Sequence, residues 1–249
     1  MGSAARTPLG AALGLLIALA VIVGGGYAVY LVALTCAFVI VMLTAGWPDL
    51  LELPTPRSTR LVMALTGAAG LILALSTSVS NAAAGIALVM VFAVFASFLQ
   101  QMLRSERGQL TESLTGTVTG ALLAALSAGW VEAVHASAGI GLIITAASAL
   151  VATSFVLALP LPGVAAVPSA ILTGTLVPAF TSYFLLPSDH PLLIGAGVGA
   201  VIACLSVAIT YLLSTVFRAR EARAVLTNAC APVAVTGFVV FLAVRMIPL

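Results

Sequence analysis

Apolar residues along this chain form continuous stretches rather than an alternating pattern, and the charges fall in short clusters between them. Arg6 and Asp49 are separated by 42 uncharged residues, Arg60 and Arg104 by 43. Each stretch is about twice the ~20 residues with which a helix crosses a bilayer. Each also has a turn signal midway, Gly24-Gly25-Gly26 in the first and Ser76-Thr77-Ser78-Val79-Ser80-Asn81 in the second. The run from Glu112 to Glu132 is long enough for one helix. Residues 136–188 hold two, divided near Pro160-Leu161-Pro162-Gly163, and 191–217 and 224–244 hold one each. The pattern predicts nine spans, at about 9–24, 27–46, 61–77, 82–102, 113–131, 138–159, 165–187, 191–215 and 226–246, in one transmembrane domain over 1–249.

Composition turns that pattern into a class. The chain is 62% hydrophobic and 6% charged, with a mean hydropathy of +1.27, where soluble domains carry roughly 25% charged residues. Lipid is therefore the outer solvent, and each backbone N–H and C=O inside it needs an internal partner. Continuous apolar runs then mean helices, not a β-barrel. The expected fold is an all-α, polytopic bundle.

Charge gives the chain a direction. With the N-terminus inside, Arg6, Arg57, Arg60, Arg104, Arg107, Arg218, Arg220 and Arg223 share the inner side and Arg245 alone lies outside. That is the bias the positive-inside rule describes, so the C-terminus is expected outside a bacterial cytoplasmic membrane. Glu132, His135, Asp189 and His190 fall in outer loops, and Trp47, Trp130, Tyr183 and Tyr211 fall near span ends, where interfacial aromatics sit. Arg6 precedes an apolar core as in a signal peptide. No A-x-A site follows and a second apolar run begins at once, so an uncleaved first helix is expected. Gly2 is followed by Arg6 where a myristoylation signal has Ser or Thr.

Several chemistries drop out. All nine basic residues are Arg, so nothing that needs a lysine is available, and a net charge of +2 makes no case for nucleic acid. Cys36, Cys204 and Cys230 lie in apolar stretches without a CxxC and read as small buried hydrophobes. No charge falls at the centre of a predicted span, where carriers place coupling residues. Asn81 and Asn228 come nearest, close to span ends. Glu132 with His135, and Asp189 with His190, are metal-ligand types that are not adjacent in sequence, so no metal site and no cofactor is assigned.

Four features carry candidate function. Segment 165–187 holds Pro168 and Pro178, which free backbone carbonyls, among Thr173, Thr175, Thr181 and Ser182. Broken helices of this kind line transporter sites, so Thr173, Thr175, Pro178, Thr181 and Ser182 are candidates for a substrate path. Gly116-x-x-x-Gly120 and Gly195-x-x-x-Gly199 are helix-packing faces, within the monomer or between copies. Arg104, Arg107, Arg218, Arg220 and Arg223 are candidates for lipid headgroups, with Thr111 and Glu112 suited to a helix start. Thr-Gly recurs at 66–67, 115–116, 173–174 and 236–237, and Leu-Thr-Gly-Thr is repeated at 114–117 and 172–175, a faint sign of duplication.

The stretch LRSERGQLTESLTGTVTGALLAALSAGW, residues 103–130, resembles multi-pass membrane proteins common in actinobacteria, and more distantly the amino-terminal half of phosphatidate cytidylyltransferases. The latter resemblance implies a lipid-modifying enzyme with a Lys/Asp-rich, metal-binding carboxy-terminal signature. Here residues 217–238 read FRAREARAVLTNACAPVAVTGF, without Lys or an Asp pair, so no active site carries over. The expected function is a permease-like or accessory role for a small or lipidic substrate. The alternatives are a structural subunit or scaffold, and a lipid-modifying enzyme. Expected partners are membrane lipids, another membrane protein or a second copy of the chain.

Overall fold

A computed structural model describes residues 28–76, 82–102, 110–136, 138–216 and 222–247, and the single positions 12, 15, 16 and 19. The described residues form nine continuous helices: α1 (Ala28–Leu50), α2 (Pro56–Ser76), α3 (Ala82–Met102), α4 (Leu110–Leu126), α5 (Gly129–Val134), α6 (Gly139–Ala158), α7 (Gly163–Leu185), α8 (Pro191–Val216) and α9 (Ala222–Met246). Helices α4 and α5 make one span, Leu110–Val134, so among the described residues eight segments are long and apolar enough to cross a membrane. The chain is an all-α, multi-pass integral membrane protein. The ninth expected span, 9–24, lies outside the described residues apart from Ala12, Leu15, Leu16 and Leu19, each of them helical.

Proline sets several boundaries. The residue before a proline is pushed out of the helical region by the ring. Leu159, ahead of Pro160, is extended (φ −69°, ψ 147°) and ends α6; Leu186, ahead of Pro187, is extended (φ −103°, ψ 124°) and ends α7. Helices α2 and α8 open on Pro56 and Pro191, where the missing N–H is one the helix start leaves unused. Pro48 lies inside α1, which continues to Leu50 rather than stopping near 46. Within the Leu110–Val134 span the ladder tightens at Ser127-Ala128: Ala128 N–H bonds Ala125 O at 3.1 Å and Val131 N–H bonds Ala128 O at 3.0 Å before α5 resumes.

Helices α1, α4–α5, α6 and α9 surround the main core, with Leu43, Met63, Trp130, Leu142, Ile143, Leu150 and Ile202 fully buried. α9 returns from the chain's end to pack on α1, α5, α6 and α8. Helices α3 and α7 lie at the rim, and Phe92, Phe95, Phe98, Leu172, Phe180 and Phe184 face outward.

The two tryptophans overturn an expectation. Both are buried instead of standing at an interface. Trp47 Nε1 donates to Gly116 O of α4 at 2.9 Å, and its ring covers Gly120, four residues on. Trp130 Nε1 donates to Val233 O of α9 at 2.9 Å, and its ring covers Gly237, again four residues on. A glycine gives the indole room against the helix, and the carbonyl one turn earlier lies within reach of its N–H. Of the other two aromatics, Tyr183 is exposed and Tyr211 half-buried.

Candidate functional site

Polar side chains inside an apolar bundle show where the fold spends its hydrogen bonds. They concentrate at one end, where the C-termini of α1 and α3 meet the N-termini of α2 and α4. Thr59 and Thr117 hydroxyls lie 3.0 Å apart, fully buried. Thr117 Oγ1 donates to Ser113 O at 2.7 Å, so Thr59 is the donor between them. Gln101 Nε2 donates to Ser113 Oγ at 2.6 Å. Gln100 Nε2 donates to Ser58 Oγ at 2.7 Å and to Thr55 Oγ1 at 3.4 Å. Three helices are thus joined by neutral amides and hydroxyls, which lipid tolerates better than charge.

The strap 51–55 closes this end. Arg60 Nη2 donates to both Asp49 carboxylate oxygens, at 2.7 and 2.9 Å, and clamps its base. Leu51 and Leu53 fill the space that the missing Gly116 side chain leaves. Glu52 is left-handed at φ 51°, a conformation non-glycine residues rarely adopt. Sequence reasoning singled out none of Thr55, Ser58, Thr59, Gln100, Gln101, Ser113 and Thr117 as a cluster. The available signal was two adjacent glutamines ending an apolar run that faces two hydroxyl-bearing helix starts.

Two arginine-bearing connectors, 103–109 and 217–221, join α3 to α4 and α8 to α9. Arg104, Arg107, Arg218 and Arg220 lie outside the described residues; Arg223 is in the first turn of α9. Thr227 Oγ1, one turn later, donates to Met42 O of α1 at 3.2 Å, so α9 starts at the same end as the strap.

The substrate-path candidates are dispersed over a packed helix. The buried residues of α7 are Ala166, Ala170, Gly174, Pro178 and Ser182, one narrow stripe at every fourth position. A Cβ on Gly195 would meet Ser182 and the Pro178 carbonyl; one on Gly199 would meet the Pro178 ring and lie 2.6 Å from Gly174 O. Gly174 O is the carbonyl that Pro178, lacking an N–H, leaves without its helical donor. Thr173, Thr175 and Thr181 are half-buried. Thr173 Oγ1 donates to Ser169 O at 2.8 Å and Thr175 Oγ1 to Ile171 O at 2.8 Å. Thr181 Oγ1 donates to Pro178 O at 3.1 Å and lies within hydrogen-bond distance of Ser148 Oγ of α6, 3.1 Å away. Ser182 Oγ reaches across to Pro191 O of α8 at 2.7 Å. The hydroxyls therefore serve the helix and its neighbours.

The four Thr-Gly pairs share one local device. Thr66, Thr115, Thr173 and Thr236 each donate to the carbonyl four residues back, at 2.7, 2.6, 2.8 and 2.8 Å. Gly67, Gly116, Gly174 and Gly237 each meet a neighbouring segment so closely that a Cβ would collide with it. Back-bonding bends a helix slightly, and the glycine lets the neighbouring segment approach.

Glu132 also departs from expectation. It belongs to the span Leu110–Val134 and is only 4% exposed, beside the buried Trp130, Val131 and Ala133. His135 Nδ1 lies 3.1 Å from Val131 O. Among the described residues no three His, Cys, Asp or Glu side chains are grouped to hold a metal ion. Asn228 is buried near the start of α9 and Asn81 lies outside the described residues. Cys36 and Cys230 are buried, while Cys204 faces outward from α8. No protein-family model, curated protein or solved structure matches the chain.

Proposed function

We propose that the chain is a non-enzymatic accessory protein of a bacterial cytoplasmic membrane, with its N-terminus inside. It handles lipid at the arginine-bearing end built by α1–α4 and passes nothing through its centre. One observation carries this reading. The hydroxyls of α7 are bound to its own carbonyls or to adjoining segments, and α7 is closed against α8 at Gly195 and Gly199. The neutral polar cluster lies instead beneath the strap, among helix ends that face headgroups.

Cysteine accessibility tests it. In a background lacking Cys36, Cys204 and Cys230, single cysteines at 173, 175, 181 and 182 are expected not to react with a membrane-impermeant maleimide from either side. Reaction at Thr173→Cys and Ser182→Cys from opposite sides would sink the reading in favour of a permease. Reporter fusions at 105 and 220 should agree with each other and differ from a fusion at 189; disagreement between 105 and 220 removes the assigned topology.

A further inference from the structure

Among the described residues, the strap 51–55 carries the one positive φ at a residue other than glycine, Glu52 at 51°. Its side chain is exposed, so the conformation is imposed by what its neighbours bind. Leu51 and Leu53, on either side, enter the Gly116 hollow of α4, and Leu53 is buried. Pro54 and Pro56 fix φ at their own positions and restrict the residue before each. The strap beyond Glu52 is therefore a stiff arm, and backbone freedom is left at Leu51 and Glu52. Beneath the arm lies Ser113, fully buried, with its Oγ 3.4 Å from Thr55 Oγ1.

The closed arrangement holds three costs in one place. A left-handed glutamate is strained. Gln100 Oε1 and Arg60 Nε are each buried without a hydrogen bond among the described residues, although Gln100 Nε2 reaches Thr55 and Ser58 and Arg60 Nη2 reaches Asp49. A buried polar group without a partner is costly, and water entering under a lifted strap would supply one to both. Against these stand the Asp49–Arg60 pair at the base and two leucine side chains that can leave the Gly116 hollow without moving a helix. Resting on the reading that this end handles lipid, we propose that the strap is its latch: Glu52 leaves the left-handed region, Leu53 withdraws from Gly116, and Ser113, Thr117 and Gln101 open to the headgroup layer. The motion presents neutral hydroxyls and an amide to headgroups while the core around α6 and α9 stays packed.

The test uses the full chain, lacking its three native cysteines, in phosphatidylcholine nanodiscs, which expose both faces to a membrane-impermeant maleimide. Ser113→Cys, under the arm, should react about tenfold or more slowly than Arg57→Cys on the exposed edge of the strap. Glycine takes a positive φ freely and a β-branched residue tolerates it least. Glu52→Gly should therefore slow labelling of Ser113→Cys about threefold, and Glu52→Val should speed it about threefold. Asp49→Asn, which weakens the clamp, should speed it about fivefold. Equal rates at Ser113→Cys and Arg57→Cys overturn the strap as a cover. Equal rates in Glu52→Gly and Glu52→Val overturn Glu52 as the pivot. Acceleration that extends to Ala146→Cys in the core is general unfolding and overturns the latch as well. These readouts lie at the strap and the labelling that decides the proposed function lies on α7, so the two fail separately.

Discussion

The same spacing, glycine at i and i+4, is used in opposite ways in the two halves of the molecule. On α4, the spaces at Gly116 and Gly120 are filled by side chains: Leu53 Cδ2 would lie 2.8 Å from a Cβ at 116, and the Trp47 ring and Met63 Sδ 2.6 and 2.7 Å from one at 120. On α8, Gly195 and Gly199 face the Pro178 ring and the carbonyls of Pro178 and Gly174, and Gly129 of α5 faces the Gly237 carbonyl. Thioether and leucyl ends can turn away; backbone cannot. A GxxxG face therefore says that something comes close without saying whether the contact is deformable. The glycines of α4 take side-chain knobs, while Gly199 on α8 and Gly129 on α5 pack against backbone and a proline ring.

The largest effect that would break this comparison is at a backbone contact. Gly129→Val and Gly199→Val should each destabilise the protein by about 3 kcal/mol or more, the upper end of overpacking costs, and lower its yield in detergent. Gly197→Val is the internal control: no atom lies within 4 Å of its Cβ position, so its stability should stay within about 0.5 kcal/mol of wild type. Thermal unfolding followed by circular dichroism measures all three. If Gly199→Val unfolds with the Tm of Gly197→Val, the α7–α8 contact is not as close as described.

At the deformable contact the cost should be smaller. Gly120→Ala is expected to cost about 1–2 kcal/mol, because Met63 and Trp47 can shift but the Trp47–Gly116 hydrogen bond must adjust with them. Trp47→Phe and Trp130→Phe each delete an indole donor and part of a buried ring, at roughly 1–3 kcal/mol. The two should agree closely, since the two tryptophans make the same contact. A tenfold difference between them in unfolding equilibrium, about 1.4 kcal/mol, would show that the likeness is superficial.

The contrast between the halves also explains what the sequence could and could not convey. Eight spans were legible because charge punctuates them, and Pro160 and Pro187 mark where α6 and α7 end. The buried face of each span was not legible. In water, period 3.6 separates an apolar face from a polar one; in lipid both faces are apolar, and Leu43, buried, reads the same as Leu34, exposed. Trp47 and Trp130 look like interfacial aromatics for that reason, and only the opposing glycines on α4 and α9 reveal otherwise. Glu132 was one residue beyond a predicted span, and the break at Ser127-Ala128 carries the chain far enough for α5 to bury it. The polar cluster under the strap is assembled from positions 55 to 117 and has no local signature. Thr-Gly was visible as a recurrence, but its meaning depends on which helix each glycine meets.

The smallest effects separate hydroxyls that join segments from hydroxyls that serve their own helix. Ser182 Oγ reaches Pro191 O on the next helix, whereas Thr173 Oγ1 bonds only carbonyls of α7. Interhelical hydrogen bonds in membranes average about 0.6 kcal/mol, with a maximum near 1.7. Ser182→Ala should therefore cost about 0.6–1.7 kcal/mol, since it also leaves a gap at the tight Gly195 contact. Thr173→Val keeps the shape and removes a local bond that slightly opposes a straight helix, so its effect should be within about 0.3 kcal/mol. Thr117→Val, in the other half, removes the acceptor for Thr59 as well as its own donor, and should match or exceed Ser182→Ala. These orderings are read from unfolding midpoints in one lipid composition. Should Thr173→Val destabilise as much as Thr117→Val, Thr173 has a partner beyond its own helix, and the polar end loses its distinction from the rest of the bundle.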